Sequence, residues 1–198
     1  MRSALVLIFL AIAWRIAAAF APELGNFSPL MALTFCGAVY FRDKRLWLVP
    51  FLALSLSDLW LNWHYASALH YGWSLGGALV RTACFAAGLG FGALVAGRKN
   101  WMTLLGGALG ASLLFYFATN TQAWFGDAFY PKTLAGWWQA MTVGHPEFPP
   151  TLLFFRNTLL SDLFFTGLFA LAMELAARQR GEESLLPQKA DVRMIQIR

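Results

Sequence analysis

The feature that most constrains this fold is a series of long apolar runs, separated by connections that contain most of the charged residues. Of the 198 residues, 59% are hydrophobic and only 13% are charged, and the mean hydropathy is +0.55. A soluble domain of this length has too small an interior to bury that much apolar surface. The sequence therefore predicts an all-α, polytopic membrane protein that folds as one compact bundle.

Six of these runs are interpreted as transmembrane helices, at about 20 residues per crossing with shorter helices allowed inside a bundle. We place them at residues 4–21, 29–41, 46–63, 73–97, 101–118 and 152–178. The first run follows Arg2 and ends in small residues, as a signal peptide would, but Arg15 interrupts it and we interpret it as a retained helix. The transmembrane domain thus covers 1–178, and 179–198 is predicted to be a solvated cytoplasmic tail.

Basic residues are distributed unequally between the connections, and this distribution predicts the orientation. They occur at Arg2, in 42–45, in 97–100 and from Arg178 onward, whereas the alternate connections contain Lys132 alone. Because cytoplasmic loops are enriched in lysine and arginine, we expect a multi-pass protein of the bacterial inner (cell) membrane with both termini cytoplasmic. The net charge of +5 is spread over helix ends, so the expected partner is the lipid bilayer and not nucleic acid.

The connection at 119–151 is long and rich in aromatic residues, glycine and proline. It falls on the predicted outer side, which also contains all three histidines, His64, His70 and His145. Aromatic residues commonly anchor membrane proteins at the interface, which explains part of this enrichment. A long structured connection is, however, usually a lid or a binding loop. The outer side is therefore the expected position of a ligand-binding cavity.

Five charged side chains lie in the outer half of the predicted helices, where a charge is costly and normally faces the protein interior or a wet cavity. They are Arg15, Asp58, Arg81, Arg156 and Asp162. One interpretation is a set of internal ion pairs that fix helix positions, Asp58 with Arg81 and Asp162 with Arg156 or Arg15. The other is that these groups present charge and hydrogen bonds to a polar ligand in an outer cavity.

The two cysteines, Cys36 and Cys84, fall at depths from which either could point into that cavity. A buried cysteine is usually a small packing residue. Cys84, however, follows Arg81 by one helical turn, and a nearby cation favours the thiolate that binds soft or borderline metals. The sequence contains no CxxC, HExxH or P-loop motif and no histidine pair at helical spacing, so other metal sites, ATP hydrolysis and haem binding are not indicated.

Two stretches are similar to a known family, GNFSPLMALTFCGAVYF at 25–41 and LVPFLALSLSDLWL at 48–61. Together with six short helices and small residues along the first helix, they resemble the S-components, the substrate-binding membrane subunits of energy-coupling-factor vitamin transporters. The closer likeness is to the BtuM-like family of solitary cobalamin transporters, and it covers the first four helices in outline. S-components dock on a shared coupling module through such small residues, which here implies Ala13 and Ala17.

This resemblance implies uptake of cobalamin, bound between the outer loops and the outer halves of the helices. It implies Cys84 as the axial ligand of cobalt, with the same thiol catalysing the displacement of a weak ligand such as cyanide. The other ligand-facing residues that we expect are Asp58, His70, Tyr71, Arg81, Trp137, Trp138 and Arg156.

Three alternative functions stay open on the sequence alone. An S-component for another vitamin or for a metal ion would use Cys84 only for packing. The outer histidines would then be more important for ligand binding. A membrane enzyme would use Cys84 or Cys36 as a nucleophile. A small structural or assembly protein would bind another membrane protein through its aromatic loops.

Overall fold

A computed structural model describes residues 2–21, 26–68 and 74–186, and none of these residues forms a β-strand. Within these described ranges, seven α-helices and one 3-10 turn follow each other. They are α1 (Arg2–Ala18), α2 (Ala32–Tyr40), the 3-10 turn (Lys44–Trp47), α3 (Leu48–Ala68), α4 (Leu75–Ala96), α5 (Trp101–Gly126), α6 (Leu134–Met141) and α7 (Thr151–Gln179).

Four helical segments are long and apolar enough to cross a membrane: Lys44–Ser67, Leu75–Ala96, Trp101–Gly126 and Thr151–Gln179. The chain is therefore a helical membrane protein, as the sequence predicts. Six full spans are not confirmed. The apolar part of α1, Ala4–Ala18, is shorter than a usual span, and α2 has only 9 residues, a length of roughly 14 Å.

The short helix α2 is the centre of the bundle. Seven of its 9 residues are buried, and it packs chiefly against α4 and α7. Gly88 and Gly92 of α4 make the close approach of α2 possible, because a Cβ atom at these positions would collide with Thr34 and with the Phe35 carbonyl oxygen. Gly90, between them, faces open space. Two of the small residues of the fourth segment therefore serve helix packing.

Helix α5 continues to Gly126, beyond the predicted end at residue 118. Its last turns contain polar side chains, and Thr119 Oγ1 and Asn120 Nδ2 each donate to the carbonyl four residues earlier, both at 2.8 Å. Much of the connection at 119–151 is consequently helical. The remaining residues, 127–150, include α6, which Trp137 attaches to α5 through a 3.1 Å hydrogen bond from its Nε1 to Thr121 Oγ1.

The two ends of the bundle differ in character. We call the end that holds the connection 127–150 the loop end, and the end that holds 41–47 and 97–100 the basic end. At the basic end, the buried carboxylate of Glu174 binds Lys99 Nζ at 2.6 Å, the Tyr40 hydroxyl at 2.9 Å and the Leu185 N–H at 2.8 Å. The first residues after α7, predicted as part of a solvated tail, thus contact the bundle, and 187–198 lie outside the described residues.

Candidate functional site

A cavity of about 1420 Å³ lies at the loop end of the bundle. Its walls come from the C-terminal parts of α1, α3 and α5, the N-terminal parts of α4 and α7, the segment 26–30 before α2, and the segments on either side of α6. The sequence predicts a cavity on this side of the protein. The helices supply most of its wall, because α5 extends further than expected.

The floor of the cavity is an ion-pair cluster centred on Asp58. Its Oδ1 accepts a hydrogen bond from Arg15 Nη2 at 2.8 Å, and its Oδ2 accepts one from Arg81 Nε at 2.7 Å. Asn62, one turn later on α3, donates from Nδ2 to the same Oδ2 at 3.0 Å. A single carboxylate therefore joins α1, α3 and α4, and both arginines line the cavity beside it.

The guanidinium of Arg15 is only partly bonded in this cluster. The residue is 6% exposed, and Nε and Nη1 have no hydrogen-bond acceptor among the residues that the structure describes. Arg81 is bonded through Nε, and its guanidinium passes alongside Gly77, one turn nearer the start of α4. With two arginines and one carboxylate, the cluster has a formal charge of +1.

The remaining buried carboxylate at the loop end, that of Asp162, does not face the cavity. It is fully buried, and Oδ1 accepts the backbone N–H groups of Met31 and Ala32 at 2.9 and 3.0 Å. The Ser112 hydroxyl donates to Oδ2 at 2.7 Å. Asp162 thus satisfies the free N–H groups at the start of α2, where the helix dipole favours a negative charge.

Aromatic and amide side chains complete the wall above the floor. The rings of Tyr116 and Phe155 lie 4.3 Å apart, and the Tyr116 hydroxyl donates to the Met141 carbonyl, which joins α5, α6 and α7. Polar groups on the wall include Tyr65, Asn120 and the Ser28 hydroxyl. A cavity that combines apolar faces with a few fixed polar groups is typical of sites for small organic ligands.

Residues 1–185 match a protein-family profile that is described as a family of unknown function, DUF6580. The chain belongs to the DUF6580 family. Comparison with curated proteins and with solved structures finds no match. The function of this DUF6580 protein must therefore be argued from its own cavity.

The site residues expected from the sequence of this DUF6580 protein fall into three groups. Asp58 and Arg81 are brought together on the cavity floor. Three others are absent from the described lining: Trp137 binds Thr121, Trp138 is 62% exposed, and Arg156 is exposed and bonds Asn157. His70 and Tyr71 lie outside the described residues.

Both cysteines are packed in the core and neither is among the residues that line the cavity. Cys84 is 4% exposed and belongs to the same buried apolar cluster as Cys36 and Phe85. The cation one turn away does not approach the thiol, because the Arg81 side chain bonds Asp58 and extends toward the loop end. Within the described residues, no group of three or more His, Cys, Asp or Glu side chains could hold a metal ion.

The sequence-based prediction missed three features of the site. It expected Arg15 to pair with Asp162 as one option, but Arg15 bonds Asp58, because Asp162 is occupied by the start of α2. It also omitted Asn62, although the spacing of four residues from Asp58 places both on one helix face. The contribution of His145 to the cavity wall depends on how the loop folds over α5 and has no local sequence signal.

Proposed function

We propose that this DUF6580 protein is a membrane uptake protein whose solute binds in the loop-end cavity from the outer side. The observation that carries the proposal is the cavity itself, about 1420 Å³ in volume, with an ion-pair cluster buried at its floor. Charged groups inside a membrane protein are costly and generally mark a ligand or ion pathway. The charge distribution assigns the basic connections to the cytoplasm, and the cavity lies at the opposite end of the bundle.

The volume favours a large organic solute. Pockets for drug-sized ligands usually have volumes of about 300–1,000 Å³, and this cavity exceeds that range. Cobalamin, which the resemblance to BtuM-like transporters implies, is the specific cargo that we propose. Its axial ligation by Cys84 requires the helices to uncover that thiol, since the side chain is buried in the arrangement described here.

The first helix supports a proposed docking contact with a shared coupling module. Ala13 and Ala17 are both exposed on α1, while Ala11 and Ala18 of the same helix are buried. Small exposed side chains permit close approach of a partner helix in the membrane. We therefore propose that this face of α1 is the surface through which an energy source would be coupled to uptake.

Cobalamin binding is tested by gel filtration of the purified full-length protein after incubation with cobalamin. We expect the corrin absorbance to elute with the protein, with a visible spectrum shifted by the cobalt–thiolate bond. Cys84→Ala should abolish the shift, and Cys36→Ala, a matched change at the other buried cysteine, should preserve it. A protein fraction without corrin would contradict cobalamin as the cargo.

The broader uptake function is tested by filling the cavity. Ala123→Trp introduces a large ring at a position that lines the cavity, and Phe125→Trp introduces the same ring at an exposed position on the same helix. Native mass spectrometry of protein purified from its own membranes should detect a small-molecule ligand in the wild type and in Phe125→Trp, but not in Ala123→Trp. Equal ligand occupancy in all three proteins would contradict the proposal.

A further inference from the structure

We propose that the cavity floor binds an anionic group of the solute, a carboxylate or a phosphate, through Arg15 and Arg81. This inference rests on the proposed function, because it takes the cavity to be the solute site. It adds the chemical class of the ligand: an organic anion whose charged end points inward. The more apolar part of the ligand would then contact the aromatic wall.

The charge balance at the floor is the first argument. Asp58 uses both carboxylate oxygens to bind the two arginines, so one positive charge remains without a counter-charge in the cluster. Asp162 is bonded by α2 and Ser112 and is not part of the lining. A partly buried, unbalanced cation is unfavourable in a membrane protein unless a ligand neutralises it.

Other acidic residues of the cavity lie at its rim. Asp127 caps the turn after α5, where its Oδ1 accepts the Phe129 N–H at 2.8 Å. Glu147 is exposed and lies 3.6 Å from His145 Nδ1. Glu23 lies outside the described residues. Among the described residues, Asp58 is thus the only carboxylate that bonds the two arginines.

The unused donors at the floor are the second argument. Arg15 is more than nine-tenths buried, yet its Nε and Nη1 bond no acceptor of the described residues. The buried hydroxyl of Ser28, also on the cavity wall, has no described partner either. Buried donors are nearly always hydrogen-bonded, and guanidinium groups match the oxygens of carboxylates and phosphates in geometry and charge.

The depth of the cluster favours a free solute over a lipid headgroup. Asp58 precedes the end of α3 by ten residues, which corresponds to about 15 Å along the helix. The ends of five helices surround the cavity above it. A lipid phosphate at the membrane surface would have to descend by that distance to reach the arginines, whereas a small organic anion can enter directly.

The test compares matched ligands on the full-length protein in an uncharged detergent at constant ionic strength. The probes are inorganic phosphate and two pairs that differ mainly in one negative charge, nicotinate and nicotinamide, and pantothenate and panthenol. The readout is the saturable rise in melting temperature with ligand concentration. We expect phosphate and at least one anionic member of a pair to stabilise the protein more than the neutral counterpart does.

Two variants, each of which removes one positive charge, test whether anion binding depends on the cavity floor. Arg81→Gln neutralises the cluster but leaves the Arg15–Asp58 pair intact, so the fold should persist. We expect it to weaken anion binding by about tenfold or more. Arg98→Gln changes an exposed residue near the basic end and should leave the affinity within about twofold of the wild type.

Four results would overturn the inference: no anionic probe stabilises the protein, neutral members stabilise it equally, Arg81→Gln has no effect, or Arg98→Gln weakens binding as much. Competition by phosphatidylglycerol in the absence of binding by any soluble anion would also overturn it, because the site would then belong to a lipid. Arg81-dependent anion binding, together with equal ligand occupancy in the wild type, Phe125→Trp and Ala123→Trp, would support the inference and contradict the proposed function.

Discussion

Asp162 is a fully buried charged residue whose carboxylate is bonded by groups from two other helices. Three donors surround its carboxylate, the N–H groups of Met31 and Ala32 and the Ser112 hydroxyl. The resulting contact joins α7 to the start of α2 and to α5 at full burial. A charged residue that the sequence marks as a candidate for ligand binding thus has a structural role here, as the N-terminal cap of a buried helix.

We predict that Asp162→Ala lowers the free energy of unfolding by about 3 kcal/mol or more, because three buried donors lose their acceptor. Asp162→Asn should cost less, since the amide oxygen still accepts from the backbone. Thermal unfolding in detergent measures both effects. Ser161→Ala is the control, because the Ser161 hydroxyl is fully buried but bonds no described partner. The explanation fails if Ser161→Ala destabilises the protein as much as Asp162→Ala does.

At the scale of helices, the position of α2 depends on its close packing against the glycines of α4. Gly92 lies against the backbone of α2, where an added Cβ would come within 2.7 Å of Ala38 Cβ and closer to the Phe35 carbonyl oxygen. Neither atom belongs to a flexible side chain that could move aside. The two helices can therefore stay at their present separation only with glycine at this position.

We predict that Gly92→Ala destabilises the bundle by about 1–3 kcal/mol, since overpacking must displace one helix. Gly90→Ala adds the same methyl group two residues earlier, into open space. This second change should be neutral or stabilise the protein by up to about 1 kcal/mol through helix propensity. Denaturant or thermal unfolding of both variants checks the contrast, and similar unfolding curves would refute the proposed contact.

At the scale of the whole molecule, the two ends of the bundle have different compositions. The basic end holds 42–45 and 97–100, and the loop end holds the cavity and α6. Positive charge on short connections favours the cytoplasmic side, so the cavity should open outward. An outward cavity agrees with uptake, and the orientation can be measured independently of any ligand.

We predict that a membrane-impermeant maleimide labels Val143→Cys on intact cells and labels Arg98→Cys only after permeabilisation. Val143 is 61% exposed beside α6, and Arg98 is exposed after α4. The natural cysteines, Cys36 and Cys84, are buried and should give little background. The reverse labelling pattern would place the cavity on the cytoplasmic side and contradict the proposed direction of uptake.

The sequence by itself determined the helical membrane class, the approximate position of the long helices and the asymmetry between the two ends. These features are local, because hydropathy and the charges beside each apolar run suffice to predict them. The pairing of Asp58 with Arg81 was also predictable, since few ionisable groups lie at that depth and opposite charges there favour each other.

Only the tertiary structure decided the length of α2, the partner of Arg15 and the burial of Cys84. The physical reason is that lipid and protein core are both apolar, so the hydrophobic pattern of a membrane helix does not specify which face points inward. That choice depends on close contacts such as Gly92 with α2, and on which of several buried donors reaches a given carboxylate. Both depend on residues far apart in the chain.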